Sequence, residues 1–331
     1  MSSDSSDSSV PVPAQQPDSG TPGEPSAAPA QNGTVATDAS QLPAQSTDAD
    51  SSCSASGTDA APEAVAPPEV PVPPPRGEFD DGPPWLSIDG QIATIRFCRP
   101  SQHNRIDPED LAVLMAHFDQ IDRTESLRAL VVTGTGTRTF SSGYTLSAVS
   151  SLSANGITFG MVVNRLEDLS IPTVCGLNGS VYGGATDIAL ACDFRLGVTG
   201  SRLVMPATRI GLHYYAGGMR RYVERLGLNT AKRLFLLGQP IPAEELLRLG
   251  YLHDLVETAQ FGDHLHTMAE QLAAGAPAVM RSMKKHLNAI SRGIYDEATI
   301  QDANIRSMRS NDLKEGLAAL KEKRAPDFKG N

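Results

Sequence analysis

The chain has 331 residues, with 38 acidic and 28 basic side chains and a formal charge of −10. Residues 1–75 hold ten of those acids, 14 of the 24 prolines and no Lys, Arg or aromatic residue. A segment of that composition cannot bury enough apolar surface to offset its conformational entropy, so residues 1–80 are expected to be a disordered acidic tail. The charge-balanced remainder argues against a nucleic-acid binder, and without a run of about 18 apolar residues no membrane span is expected. Neither a signal peptide nor an Arg-rich transit peptide is evident at the N-terminus. Cys53, Cys98, Cys175 and Cys192 form no CxxC pair. Reduced thiols in a cytoplasm are therefore expected, without a zinc site or disulfide framework.

Beyond Pro83-Pro84, Trp85–Ile88 and Gln91–Phe97 alternate apolar and polar residues around Asp89-Gly90, which predicts a hairpin. Asp107-Pro108 starts a helix carrying Leu111, Leu114, Met115, Phe118 and Ile121 at helical spacing. Ala129–Val132 is wholly apolar, as in a strand covered on both faces. The pattern continues with a helix near 156–168, a strand Thr173–Leu177, a helix near 184–191 and a strand Phe194–Val198. Strands alternating with helices predict an α/β core of parallel crossovers. After Gly217 helices dominate, over 217–226, 229–237, 242–249, 259–275, 277–291, 295–309 and 312–323, with one strand at Leu252–Val256. No internal sequence repeat is visible.

Phosphate-loop, zinc-protease and serine-elbow motifs are absent; Thr133–Thr137 reads as a glycine turn. Two segments carry chemistry: TFSSGYTLSAVS (139–150) and NGSVYGGATDIALACD (178–193). Each puts small residues and glycine at the C-terminal end of a strand, ahead of a helix, where α/β sheets bind ligands. Free N–H groups at a helix start suit a developing oxyanion, and Tyr144 and Gly184 are placed to offer one each. Gly183-Gly184 has an alternative reading as close helix–sheet packing.

The order FSSGYTL, NGSVYGGATDIALACD, MPATRIGLHYYAGGMRRYVERLG and EGLAALKEKRAPDFKG resembles the enoyl-CoA hydratase/isomerase (crotonase) superfamily over about 86–330. The resemblance implies a crotonase-like α/β spiral of repeated ββα units over 81–258. It assigns to residues 259–331 a helical region for oligomerisation, as homo-trimer or hexamer, and for active-site closure. It further implies a coenzyme A thioester as substrate, no permanent cofactor or metal, and the N–H groups of Tyr144 and Gly184 on the thioester oxygen. The CoA would lie along His103, Asn104 and Arg105 and against Ser142, Gly143 and Gly183, with Lys323, Arg324 and Lys329 near its pantetheine or phosphates.

The chain departs from the water-adding pattern of that family. The first of two expected carboxylates is Asp187, and the second position is Ala207. His213 and Tyr214 are the candidates to replace it. Tyr214 aligns with an active-site tyrosine of methylmalonyl-CoA decarboxylase, whose GSV[WY]GGA segment this chain also resembles, although Tyr144 stands where that enzyme has histidine. Hydration, isomerisation, decarboxylation and non-catalytic acyl-CoA binding all remain open at this point. Each candidate has a structural reading too: Asp187 as a first-turn acid, His213 as a solvated loop residue, Tyr214 and Tyr215 as packing aromatics. Arg209 is placed to pair with Asp187, to pair with a substrate carboxylate or, as the favoured reading, to lie at the surface. His117, His264, His266 and His286 are expected to be structural or solvated.

Overall fold

Ala129–Gly134 (β3) is buried along its whole length. Its side chains alternate between two cores, Leu130 and Val132 entering the larger and Val131 the smaller. The described residues are 81–145, 147 and 156–331 of a computed structural model; the expected acidic tail lies outside them, as does part of the 139–150 segment.

Three consecutive units follow one plan. In the first, β3 is followed by Thr139–Ser141 (β4) and Phe159–Glu167 (α2). In the second, Thr173–Leu177 (β5) is followed by Ser180–Tyr182 (β6) and Gly184–Ala191 (α3). In the third, Phe194–Val198 (β7) is followed by Arg202–Val204 (β8) and Ala216–Lys232 (α4). The leading strand of each unit joins a six-stranded sheet, together with the hairpin Gly82–Asp89 (β1) and Ile92–Cys98 (β2) and with Asp254–Val256 (β10). Its order is β1-β2-β3-β5-β7-β10, antiparallel only at the hairpin. The short second strands build another sheet, ordered β4-β6-β8 and closed by Ile241–Pro242 (β9). The backbone thus repeats where the sequence shows no repeat, in the ββα spiral that the resemblance implied. The leading strands were legible from their alternation with helices, whereas β4, β6 and β8 span three residues each, too few for a period of two to register.

The larger core lies between the six-stranded sheet, α2, α3 and Pro108–Arg123 (α1). The opposite face is covered by Phe261–Ala273 (α6), through Leu265 and Ala269. The stretch read as two helices after Gly217 runs through α4 with a break at Gly227 (φ +75°) and ends in a π-turn over Arg233–Leu237. The helices Ala243–Arg248 (α5), Pro277–Ser291 (α7), Glu297–Met308 (α8) and Asn311–Glu322 (α9) complete the C-terminal part. Lys284 docks α7 on the core, bonding Ile171 O and the Asp193 carboxylate, both at 2.8 Å. Cys98, Cys175 and Cys192 are free thiols. Among the described residues no helix is long and apolar enough to cross a membrane.

Candidate active site

Two loops meet at the C-terminal edge of the parallel strands. The first is held by buried Asn104, whose amide donates to Thr135 O and Thr139 O, both at 2.9 Å. Ser142 N–H donates to His103 O at 2.8 Å, and Ile106 N–H to Gly143 O at 3.0 Å. Thr145 N–H donates to Ile106 O at 2.9 Å. These bonds use the amides on either side of Tyr144 and leave its own N–H out of the bridge to Ile106. Gly143 makes the turn at φ +92°, a conformation that favours glycine. In the second loop Gly183 (φ +52°) caps α3, and Gly184 is its first residue, whose N–H has no acceptor in the helix. A Cβ on Gly143 would lie 3.1 Å from Gly184 N, so the loops touch at their glycines.

A cavity of about 630 Å³ opens at this contact. Tyr144, Phe159, Tyr182, Tyr214 and Tyr215 supply its aromatic wall, with Met205, Ala207 and Ile210 beside them. Ser142, Thr158, Asn164 and His213 are its polar side chains, and no Asp, Glu, Lys or Arg is among its described lining residues. A polar hollow of about 540 Å³, bordered by His103, Arg138 and Arg202, adjoins it and shares Ser142 and Tyr182.

Charge is concentrated behind the wall. Asp187 is fully buried; Arg221 Nε donates to its Oδ1 at 2.9 Å, and the Tyr215 hydroxyl donates to its Oδ2. Arg221 also reaches Glu167 at 2.5 Å, and Arg220, Arg225 and Arg292 converge on that same carboxylate at 2.5, 3.3 and 2.7 Å. Burial alone would raise the Glu167 pKa, but the four guanidinium groups, Arg221 foremost, hold it below the usual carboxylate range. Burial, then the Asp187 charge, pushes the Tyr214 and Tyr215 hydroxyls upward, so both stay protonated. Gly218 permits this packing, since a Cβ there would lie 2.8 Å from Asp187 Oδ2 and against the Tyr214 ring.

Of the residues singled out in the sequence, Ser142, Tyr144, Gly183, Gly184, His213 and Tyr214 line the cavity, and Gly143 touches Gly184. His213 is exposed and donates from Nδ1 to Tyr214 O at 2.8 Å. Asp187 lies behind Tyr215 and does not line the cavity. Its arginine is Arg221, not Arg209, which donates to Leu237 O instead. Ala207 occupies the wall as a buried apolar group. Arg105 is spent on Asp107 at 2.7 Å. Lys323 caps α9 away from the cavity of its own chain, on a segment whose Phe328 O accepts from Arg128, just ahead of the N-terminal end of β3. Sequence reasoning missed Phe159, Arg221 and Glu167. The one available signal was spacing: Arg221 follows Gly218 by three residues, on the helix face that the glycine presses against Asp187.

A ββα spiral with two glycine loops converging at the sheet edge defines the crotonase architecture. The chain belongs to the enoyl-CoA hydratase/isomerase family, whose sequence profile matches residues 87–331. It is similar to the short-chain-enoyl-CoA hydratase of Clostridium acetobutylicum, at 26% identity over 72% of this chain and 94% of that one. The carnitinyl-CoA dehydratase of Proteus mirabilis is 28% identical over 74% of this chain and 97% of its own length. Among solved structures, an enoyl-CoA hydratase from Bacillus anthracis superposes with a TM-score of 0.66 at 27% identity, over 76% of this chain and all of that one. An enoyl-CoA hydratase/carnithine racemase from Magnetospirillum magneticum shares the fold with a TM-score of 0.70, at 24% identity over 75% of this chain and 96% of its own.

Proposed function

We propose that this chain transforms an acyl-CoA thioester through an enolate, with the thioester oxygen held by the N–H groups of Tyr144 and Gly184. The approach of Gly143 to Gly184 N at the mouth of the cavity carries this reading, because it brings two uncommitted backbone donors to one place. Negative charge accumulates on that oxygen as the enolate forms, and preformed donors stabilise it without reorganisation. The coenzyme would run from the cavity past Ser142 toward His103.

Addition of water to an enoyl thioester, or its loss from a hydroxyacyl one, is the reaction the relatives' names support. With Ala207 in the wall, this reading routes the proton through Tyr215, whose hydroxyl joins Asp187 to the cavity. A water at the cavity face gives its proton to the Tyr215 oxygen while Tyr215 passes its own to Asp187, and the hydroxide adds to the β-carbon. The same relay then returns the proton to the α-carbon, so the net change is one water. A second reading is decarboxylation of a malonyl-type thioester, in which loss of CO2 itself generates the enolate. The Arg221 contact favours it, since it commits the Asp187 carboxylate to an ion pair behind the cavity wall.

Product mass spectrometry in deuterated water, over short and long enoyl-CoA, 3-hydroxyacyl-CoA and methylmalonyl-CoA, separates the two. Gly184→Pro is expected to lower kcat/KM by about 100- to 1000-fold, because it removes one donor. Gly184→Ala is its control: the added Cβ meets Phe159 Cζ at 2.8 Å in the same way but keeps the N–H. Equal losses in both variants would sink the donor assignment.

Residues 259–331 are read as the assembly region of a homo-trimer or hexamer. Apolar stripes exposed on α7 (Met283, Leu287, Ile290) and α9 (Leu313, Leu317, Leu320) support that reading. The free thiols support a cytoplasmic setting.

A further inference from the structure

Aromatic residues make up 5% of the chain, yet five of them line the one cavity of about 630 Å³. Four of them form a connected run rather than isolated contacts. Phe159 stands 5.3 Å from Tyr144 and 6.3 Å from Tyr215, centroid to centroid, and Tyr215 lies 4.8 Å from Tyr214. The run begins at the proposed oxyanion donors: Tyr144 carries one of them, and the Phe159 ring lies directly over the other, Gly184. A group on the carbons next to the thioester therefore meets ring faces and edges before anything else.

The same wall carries no Asp, Glu, Lys or Arg among its described residues, and the Tyr215 hydroxyl is committed to Asp187. A cation entering here would gain ring-face attraction but lose its hydration without a carboxylate to replace it. A linear alkyl chain would gain burial alone. A neutral aromatic ring gains burial and the offset or edge-to-face contacts that ring quadrupoles favour.

We propose that the cavity selects acyl-CoA thioesters bearing an aromatic ring close to the thioester, of the 3-aryl-2-enoyl kind, over linear acyl-CoA of equal carbon number. This rests on the reading that the site takes an acyl-CoA. The test is calorimetric titration of the full-length protein with cinnamoyl-CoA, 2-nonenoyl-CoA and a trimethylammonium-bearing enoyl-CoA. Cinnamoyl-CoA is expected to bind about tenfold more tightly than the other two. Phe159→Leu keeps an apolar wall and removes the central ring, and should shrink that preference to about twofold. Tyr144→Leu provides the same comparison should Phe159→Leu fail to fold. Equal or tighter binding of the nonenoyl or trimethylammonium ester overturns the aromatic assignment alone, as does a preference untouched by either substitution. If no CoA ester binds, the acyl-CoA reading falls and takes this one with it.

Discussion

The two sides of Tyr215 are built from opposite chemistry. Toward the cavity lie tyrosines, Phe159, methionines and Ala207, with no Asp, Glu, Lys or Arg among the described lining residues. Behind it, Asp187 and Glu167 share Arg221, and three further arginines converge on Glu167. The strongest electrostatics of this region therefore serve packing, joining α2, α3, α4 and α7, while the cavity side carries no Asp, Glu, Lys or Arg among its described residues. Asp187 sits on the boundary and reaches the cavity only through one phenol. An acid in the first turn of α3 is thus not by itself a catalytic acid; its neighbours decide which side it works on.

The sharpest way to break that comparison is to remove the group that both carboxylates share. Arg221→Met leaves Asp187 and Glu167 buried with the Nε and Nη1 contacts gone. Uncompensated buried charge of this kind costs about 3–5 kcal/mol, so a large drop in the urea midpoint is expected. A change under 1 kcal/mol would mean that water reaches the network and that the two sides are not electrically distinct.

A smaller change asks whether Asp187 works across the boundary. Tyr215→Phe keeps the ring and cuts the hydroxyl that joins Asp187 to the cavity wall. If the water-adding relay operates, kcat should fall by about 100-fold or more with KM little changed. Retention of kcat, alongside CO2 release from methylmalonyl-CoA, would leave Asp187 wholly on the structural side. The stability loss should stay near 1–2 kcal/mol in either case, because Arg221 still holds the carboxylate.

What the sequence made legible follows from range. β3 announced itself because burial on both faces leaves the unbroken apolar run Ala129–Val132, and β5 and β7 because they alternate with helices. The loops carrying Tyr144 and Gly184 were legible because each sets glycines at a strand end. The wall was not: Phe159 reaches Gly184 across 25 residues of chain and Arg221 reaches Asp187 across 34. Neither contact leaves a local pattern. Tyr215 was read as packing, and it does pack, against Phe159 and Tyr214. Only the fold shows that its hydroxyl also reaches Asp187.

The finest test concerns a site where arginine charge acts on a base rather than an acid. His253 accepts the Arg195 N–H at Nδ1, at 3.3 Å, and stacks edge-on to Phe194. Partial burial, then the charges of Arg195 and Arg225, push its pKa down to about 4 from an ordinary 6.5. Between those values the unfolded chain binds the proton that the folded chain refuses. Stability from this residue is therefore complete above about pH 6.5 and is lost as pH falls toward 4. His253→Asn supplies an acceptor to the Arg195 N–H but does not titrate, so its unfolding free energy should fall less steeply across that window. Glu167, among four arginines, gains from the same charge that His253 resists. If wild type and His253→Asn show parallel slopes from pH 7 to 4.5, the arginines are screened at this edge of the sheet, and the contrast holds only for the charges sealed behind Tyr215.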